Sequence, residues 1–194
     1  MLALVGMLAG ATLAGCGGSR SAASTTAASA QRLAHKGVRT IALTSTGIHN
    51  GRLLARYTCD GSNISPPLRW GAVPAGIGEV VLFALGITPH RAVTVEWAMA
   101  GLAPALHGVG AGQVPGNAFL VTASDGSKRY SICPPRGQTK RYRFAIYALP
   151  KGVIAGPKVS GPRMLRNLVE GPPRFLTPAY GFISATYTRE PGAI

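Results

Sequence analysis

Apolar and polar residues alternate with a period of two along much of this chain, which predicts strands rather than helices. Residues 40–46 alternate in this way. Residues 79–85 are almost continuously apolar, as in a strand buried on both faces. In residues 94–99 the alternation predicts Val95, Trp97 and Met99 on one face and Glu96 on the other. Residues 142–148 alternate too, with Tyr142, Phe144 and Ile146 on one side and Arg143 and Ala145 on the other. Residues 182–188 form a last β-rich segment. Pro and Gly clusters separate these runs, and many short strands between turns predict a mainly β, antiparallel sandwich. One segment has helical spacing instead. Ser160 can cap it, Pro162 sits in its first turn, and Met164, Leu165, Leu168 and Val169 make an apolar stripe. Gly171 and Pro172 end it. The expected fold is thus a β-sandwich with a C-terminal helix and few others.

Composition adds a charge argument. The chain has 194 residues, with 20 Lys and Arg against 6 Asp and Glu, for a net charge of +14. Such an excess favours anionic partners. No run of five or six like charges and no nucleic-acid-binding motif occurs, so nucleic acid is not an expected partner. The bland reading is arginine scattered over a solvated surface.

The N-terminus suggests an address. Residues 2–13 are small and apolar, too short to span a bilayer, and end in Leu13-Ala14-Gly15-Cys16. This ending resembles a bacterial lipobox, in which the cysteine thiol takes a diacylglyceryl thioether and becomes the mature N-terminus. The resemblance implies a signal peptide over residues 1–15 and a palmitate-type lipid anchor on Cys16. Several acyl chains at roughly 0.8 kcal/mol per buried CH2 would make that anchor stable. Residues 16–37 are rich in Gly, Ser and Ala and read as a flexible tether. A single domain follows over residues 38–190. The expected location is the bacterial cell envelope, extracytoplasmic and lipid-anchored. With Cys16 assigned to lipid, Cys59 and Cys133 remain, both in loops beside prolines. An oxidising compartment permits a bridge between them, and a disulfide is expected. Two free thiols are the alternative.

The sequence Tyr57-Thr58-Cys59-Asp60-Gly61-Ser62-Asn63-Ile64-Ser65-Pro66-Pro67-Leu68-Arg69-Trp70 is the most specific stretch. It resembles the signature of the phosphatidylethanolamine-binding protein family, in its bacterial Raf-kinase-inhibitor-like branch. Cys133-Pro134-Pro135-Arg136-Gly137 and Lys140-Arg141-Tyr142 extend the resemblance, which covers about residues 40–189. It implies one small polar cavity that binds phosphate-like or carboxylate anions through convergent donors. In the family a loop Asp-Pro-Asp, a His before a Trp, and a His before Arg-Tyr build that cavity. The matching positions here are Gly86-Ile87-Thr88, Glu96 before Trp97, and Lys140 before Arg141. The loop before Cys133 reads Tyr130-Ser131-Ile132 and lacks the family's Gly-Pro.

The ligand-binding candidates implied by the resemblance are Glu96, Tyr130, Lys140, Arg141 and Tyr142. A Glu96–Lys140 pair could fill the cavity, or Lys140 could remain an anion ligand oriented by Glu96. The functional expectation is a membrane-anchored binding module for a small anion or phospholipid headgroup, with a degenerate pocket. The alternative is a protein-interaction role with an envelope protein, or a role like that of relatives that inhibit kinases or proteases. An enzyme is not expected, and a hydrolase is the least favoured reading: Glu96 with Ser131 lacks an orienting third group, and no Gly-x-Ser-x-Gly elbow occurs. No cofactor and no metal site is expected, since His35, His49, His90 and His107 show no zinc-like spacing. His90 could stand in for a lost donor at the cavity rim. Asp60, before Gly61, reads as a turn residue capping backbone N–H groups.

Overall fold

The structure is a computed structural model that describes residues 39–90, 92–151, 153, 156–170 and 178–191. The proposed signal segment, Cys16, the tether and the Gly171-Pro172 helix stop lie outside the described residues.

The strands are β1 (Arg39–Thr40), β2 (Leu43–Thr44), β3 (Ile48–His49), β4 (Arg52–Leu53), β5 (Leu68–Trp70), β6 (Ile77–Ile87), β7 (Val93–Leu102), β8 (Gly108–Val109), β9 (Phe119–Val121), β10 (Thr139–Pro150) and β11 (Ala179–Thr188). A 3-10 turn covers Ala55–Tyr57, and the helix α1 covers Gly161–Glu170. The large sheet runs β3-β4-β11-β10-β6-β7-β9, with β1 also on β11, and the small sheet runs β2-β5-β8. Pairing is antiparallel except where β1 and β4 lie parallel to β11. Among the described residues the mainly β sandwich with one α-helix is therefore present, with those two parallel pairings.

β6 explains the layering. Its even residues Val80, Leu82 and Ala84 join the core between the two sheets, with Leu43, Leu68, Trp70 and Val109. Its odd residues Val81, Phe83 and Leu85 join a second core under α1, with Met164 and Leu168. A strand with a core on each face has no position left for an exposed polar side chain, hence its apolar run. Burying each such Val, Leu or Phe side chain is worth about 1.5–3 kcal/mol. The helix stripe is narrower than its spacing predicts. Met164 and Leu168 are buried and Leu165 is packed at the margin, but Val169 is 52% exposed. Val169 sits a further 100° around the helix from Leu168, past the sheet contact.

One expectation fails in a way that shapes the site. Alternation places Val95, Trp97 and Met99 together and Glu96 opposite. In the fold Val95 lies in the core under α1, whereas Trp97 and Met99 lie between the sheets. The β6–β7 register explains this: Ala84 pairs with Trp97 but the next residue, Leu85, pairs with Val95. Glu96 is the extra residue of a β-bulge. The bulge reverses the parity of β7, so Glu96 and Trp97 both turn toward the inner side.

Candidate functional site

Three neighbouring strands build the site. Tyr142 on β10 pairs with Gly86 on β6, and Gly86 pairs with Thr94 on β7. All three occupy one row on the inner side of the sheet. Lys140, two residues before Tyr142, stands on that side one row nearer the strand end, and the bulge brings Glu96 to meet it. Lys140 Nζ lies 2.6 Å from Glu96 Oε1, with side-chain exposures of 26% and 20%. The Thr94 hydroxyl donates to the same Glu96 oxygen at 2.7 Å, and Lys140 Nζ reaches Thr94 Oγ1 at 3.5 Å. The ammonium also lies 5.6 Å from the centroid of the Tyr142 ring.

Gly86 makes this arrangement possible. A Cβ added there would meet the Glu96 carboxylate and the Lys140 ammonium at 2.6 Å or less. The ion pair therefore occupies the volume that a side chain at position 86 would need. Thr94 and Gly86 complete the site, and residue-type reasoning missed both as participants. A glycine in a strand interior, where it costs packing, is the signal that could have found it.

Behind the pair are two phenols. Tyr142 is buried, with its ring beside the Lys140 ammonium. Burial first, then the Glu96 charge, push the Tyr142 hydroxyl far above its ordinary value, so it stays a proton donor. Tyr130 is pushed up likewise, chiefly by burial. Its hydroxyl is already committed, donating to the Tyr57 carbonyl at 2.9 Å, and its ring meets Trp97 edge-on at 6.0 Å. Tyr130 thus supports the wall rather than offering a free donor. Beside Trp97 and Tyr130 a concavity of about 320 Å³ opens, bordered also by Asn63 and Arg129.

Arg141 does not join the others. It pairs with Ile87 and Thr186, one position out of phase with Tyr142, and faces the opposite side of the sheet. There it lines a separate concavity of about 330 Å³ with Thr139, Thr186 and Thr88. His90 and His107 are exposed, and the described residues contain no cluster of three metal-ligating side chains.

The loops at the rim are held by a disulfide between Cys59 and Cys133, with Cα atoms 5.2 Å apart. Cys59 N–H donates to the Ile132 carbonyl, and Ile132 N–H donates to Asn63 Oδ1. Asp60 acts differently from its expected cap. Its carboxylate accepts from the Tyr187 hydroxyl at 2.7 Å and from Arg189 Nε at 3.1 Å. Arg189 Nη1 donates onward to the Pro134 carbonyl. These partners hold the Asp60 carboxyl below the usual carboxylate range, the Tyr187 hydrogen bond most. A lowered folded value means the stabilisation is present above the unfolded value and disappears as pH falls through the folded one. The combined substitution Tyr187→Phe and Arg189→Gln should cost stability at pH 6–7. The difference from the parent should shrink once pH drops below about 4. Urea unfolding across that range measures it; a pH-independent difference would refute the Asp60 clamp.

Comparison with known proteins gives a consistent picture. Residues 44–172 match the family model described as phosphatidylethanolamine-binding protein. A UPF0098 protein of Mycobacterium tuberculosis is 37% identical over 97 residues, which is 49% of this chain and 46% of that protein. A UPF0098 protein of Methanothermobacter thermautotrophicus is 35% identical over 105 residues, covering 51% of this chain and 69% of that protein. The chain thus spans about half the length of the mycobacterial relatives it matches. Among solved structures, a phosphatidylethanolamine-binding protein homolog from Chlamydia trachomatis aligns with a TM-score of 0.65 at 24% identity. That alignment covers 78% of this chain and 99% of the homolog. Escherichia coli YbcL, described as a member of the mammalian PEBP family, aligns at 0.64 and 19% identity over 76% of this chain and 98% of YbcL. At these identities the two structures speak to the fold.

Proposed function

The chain belongs to the phosphatidylethanolamine-binding protein family, and from that premise we propose that it is a non-catalytic, lipid-anchored binding module of the cell envelope whose anion pocket is guarded by its own carboxylate. Lys140 is the anion ligand, Glu96 is the occupant an anion must displace, and Tyr142 supplies a second donor. The ligand class is a small phosphate or carboxylate, free or as a lipid headgroup. Cys16 carries the lipid, and residues 16–37 let the domain reach the headgroup layer.

The observation that carries this reading is the 2.6 Å contact of Lys140 with Glu96 above the bare Gly86, beside the buried phenol of Tyr142. A carboxylate held by a cation and a hydroxyl is the arrangement a bound anion would have. Calorimetric titration with phosphate, acetate and phosphoethanolamine tests it. Weak, saturable binding that disappears in Lys140→Ala is expected. No heat with any of the three, in the parent chain and in Glu96→Ala, would remove the reading.

The same ion pair favours a second reading, in which the filled pocket is structural and the protein works through its surface on an envelope protein. A membrane-extract partner whose capture survives substitution of both Lys140 and Glu96 would select that reading.

A further inference from the structure

Beyond the part covered by α1, the outer face of the large sheet carries chemistry that the pocket does not use. Strand register sets one row across it: Val93, Ile87, Arg141, Thr186 and Arg52 on five adjacent strands. In the next row Arg143 lies between Arg141 and the exposed Phe182, its guanidinium carbon 4.3 Å from the Phe182 ring centroid. Arg52 and Arg141 are exposed. Val93 and Phe182, at opposite margins of the patch, are 51% and 47% exposed. Among the described residues the ion pairs are Lys140–Glu96 and Arg189–Asp60, so none of these three arginines has a carboxylate partner. Arg143 Nε is buried and without an acceptor.

We propose that this uncovered part of the face docks on the surface of an anionic lipid bilayer. The patch pairs uncompensated cations with exposed apolar side chains at its edges. Lipid phosphates satisfy the first, and the boundary with the acyl chains satisfies the second. A polyanion such as nucleic acid or an acidic protein would answer the charge but leave Val93 and Phe182 without a role. The concavity around Arg141, about 330 Å³ and rimmed by Thr139, Thr186 and Thr88, has room for one phosphodiester headgroup. Exposed arginines on a sheet keep their stems on the protein while their planar heads reach phosphate oxygens in pairs. The inference stands apart from the inner pocket and from acylation of Cys16. If Cys16 is acylated, this face supplies the second, electrostatic attachment that a lipid chain commonly needs.

The test uses the full chain carrying Cys16→Ala, so that no acyl group contributes, and co-sedimentation with two kinds of vesicle. Binding is expected to phosphatidylcholine–phosphatidylglycerol vesicles and not to phosphatidylcholine alone, and to weaken with added salt. Arg52→Gln with Arg141→Gln should lower the partition coefficient about twenty-five-fold, from roughly five-fold per cation at an anionic surface. Arg69→Gln with Lys158→Gln, exposed elsewhere and equal in charge, should change it no more than about two-fold. Phe182→Ala should weaken binding even where salt has screened the charges. Equal losses in the two double variants, equal binding to both vesicle types, or no vesicle binding would overturn the proposal. Tight binding to duplex DNA in the absence of vesicle binding would do the same.

Discussion

Glu96→Ala should tighten acetate and phosphate binding by about ten-fold. In the parent chain any anion must first break the 2.6 Å contact between Lys140 and Glu96 and take the Thr94 hydroxyl from the same carboxylate oxygen. Both side chains are about a quarter exposed, so the pair falls between a surface bridge worth up to about 1 kcal/mol and a buried one costing about 3–5 kcal/mol to break. A value near 1.4 kcal/mol corresponds to the ten-fold change. Alanine leaves Lys140 with no carboxylate and leaves a space the size of the lost group above Gly86. Acetate fits that space as a detached replacement for the Glu96 head. The variant should therefore unfold at lower temperature in anion-free buffer and recover with added acetate, as differential scanning calorimetry would record. Lys140→Ala added to the same variant should abolish the recovery. Equal acetate affinity in parent and Glu96→Ala would mean that the carboxylate does not compete.

Loss of the Cys59–Cys133 bridge should cost about 4 kcal/mol. The cysteines are 74 residues apart in sequence, and closing a loop of that size removes much unfolded-chain entropy. Against a usual total stability of about 5–15 kcal/mol, that is a large share. The cost should fall on the pocket as well as on the whole fold. A backbone bond from Cys59 N–H to the Ile132 carbonyl and a bond from Ile132 N–H to Asn63 Oδ1 hold the same loop that carries Tyr130. Urea unfolding of the oxidised chain, the reduced chain and the Cys59→Ala, Cys133→Ala variant would give the number. A cost below about 1 kcal/mol would mean that the unfolded chain is already compact there.

The strands that could be read from sequence are those whose period survives intact. β10 and β11, and β6 from Val80 to Leu85, keep strict parity, so their apolar faces announce the two cores. β7 does not. The bulge at Glu96 adds one residue without disturbing the written alternation of Val95, Trp97 and Met99, and the side of each residue N-terminal to it is reversed. Only the partner strand reveals this, because a bulge is a relation between strands. Arg141 is the opposite case. Tyr142 and Phe144 sit on the inner side, so parity alone places Lys140 with them and Arg141 with Arg143 outside. The motif Lys140-Arg141-Tyr142 concealed that signal by presenting three neighbours as one site. Asp60 was invisible for another reason. Its partners Tyr187 and Arg189 are 127 and 129 residues away, and nothing local marks a carboxylate that serves distant donors rather than its own turn.

The most direct test of the guarded pocket is the electron density of Glu96→Ala crystallised with phosphate. The account predicts an anion above Gly86, within hydrogen-bond distance of Lys140 Nζ and the Tyr142 hydroxyl, in the volume that the glutamate head fills in the parent. Lys140 swung out to solvent with that volume collapsed or taken by water alone would contradict it.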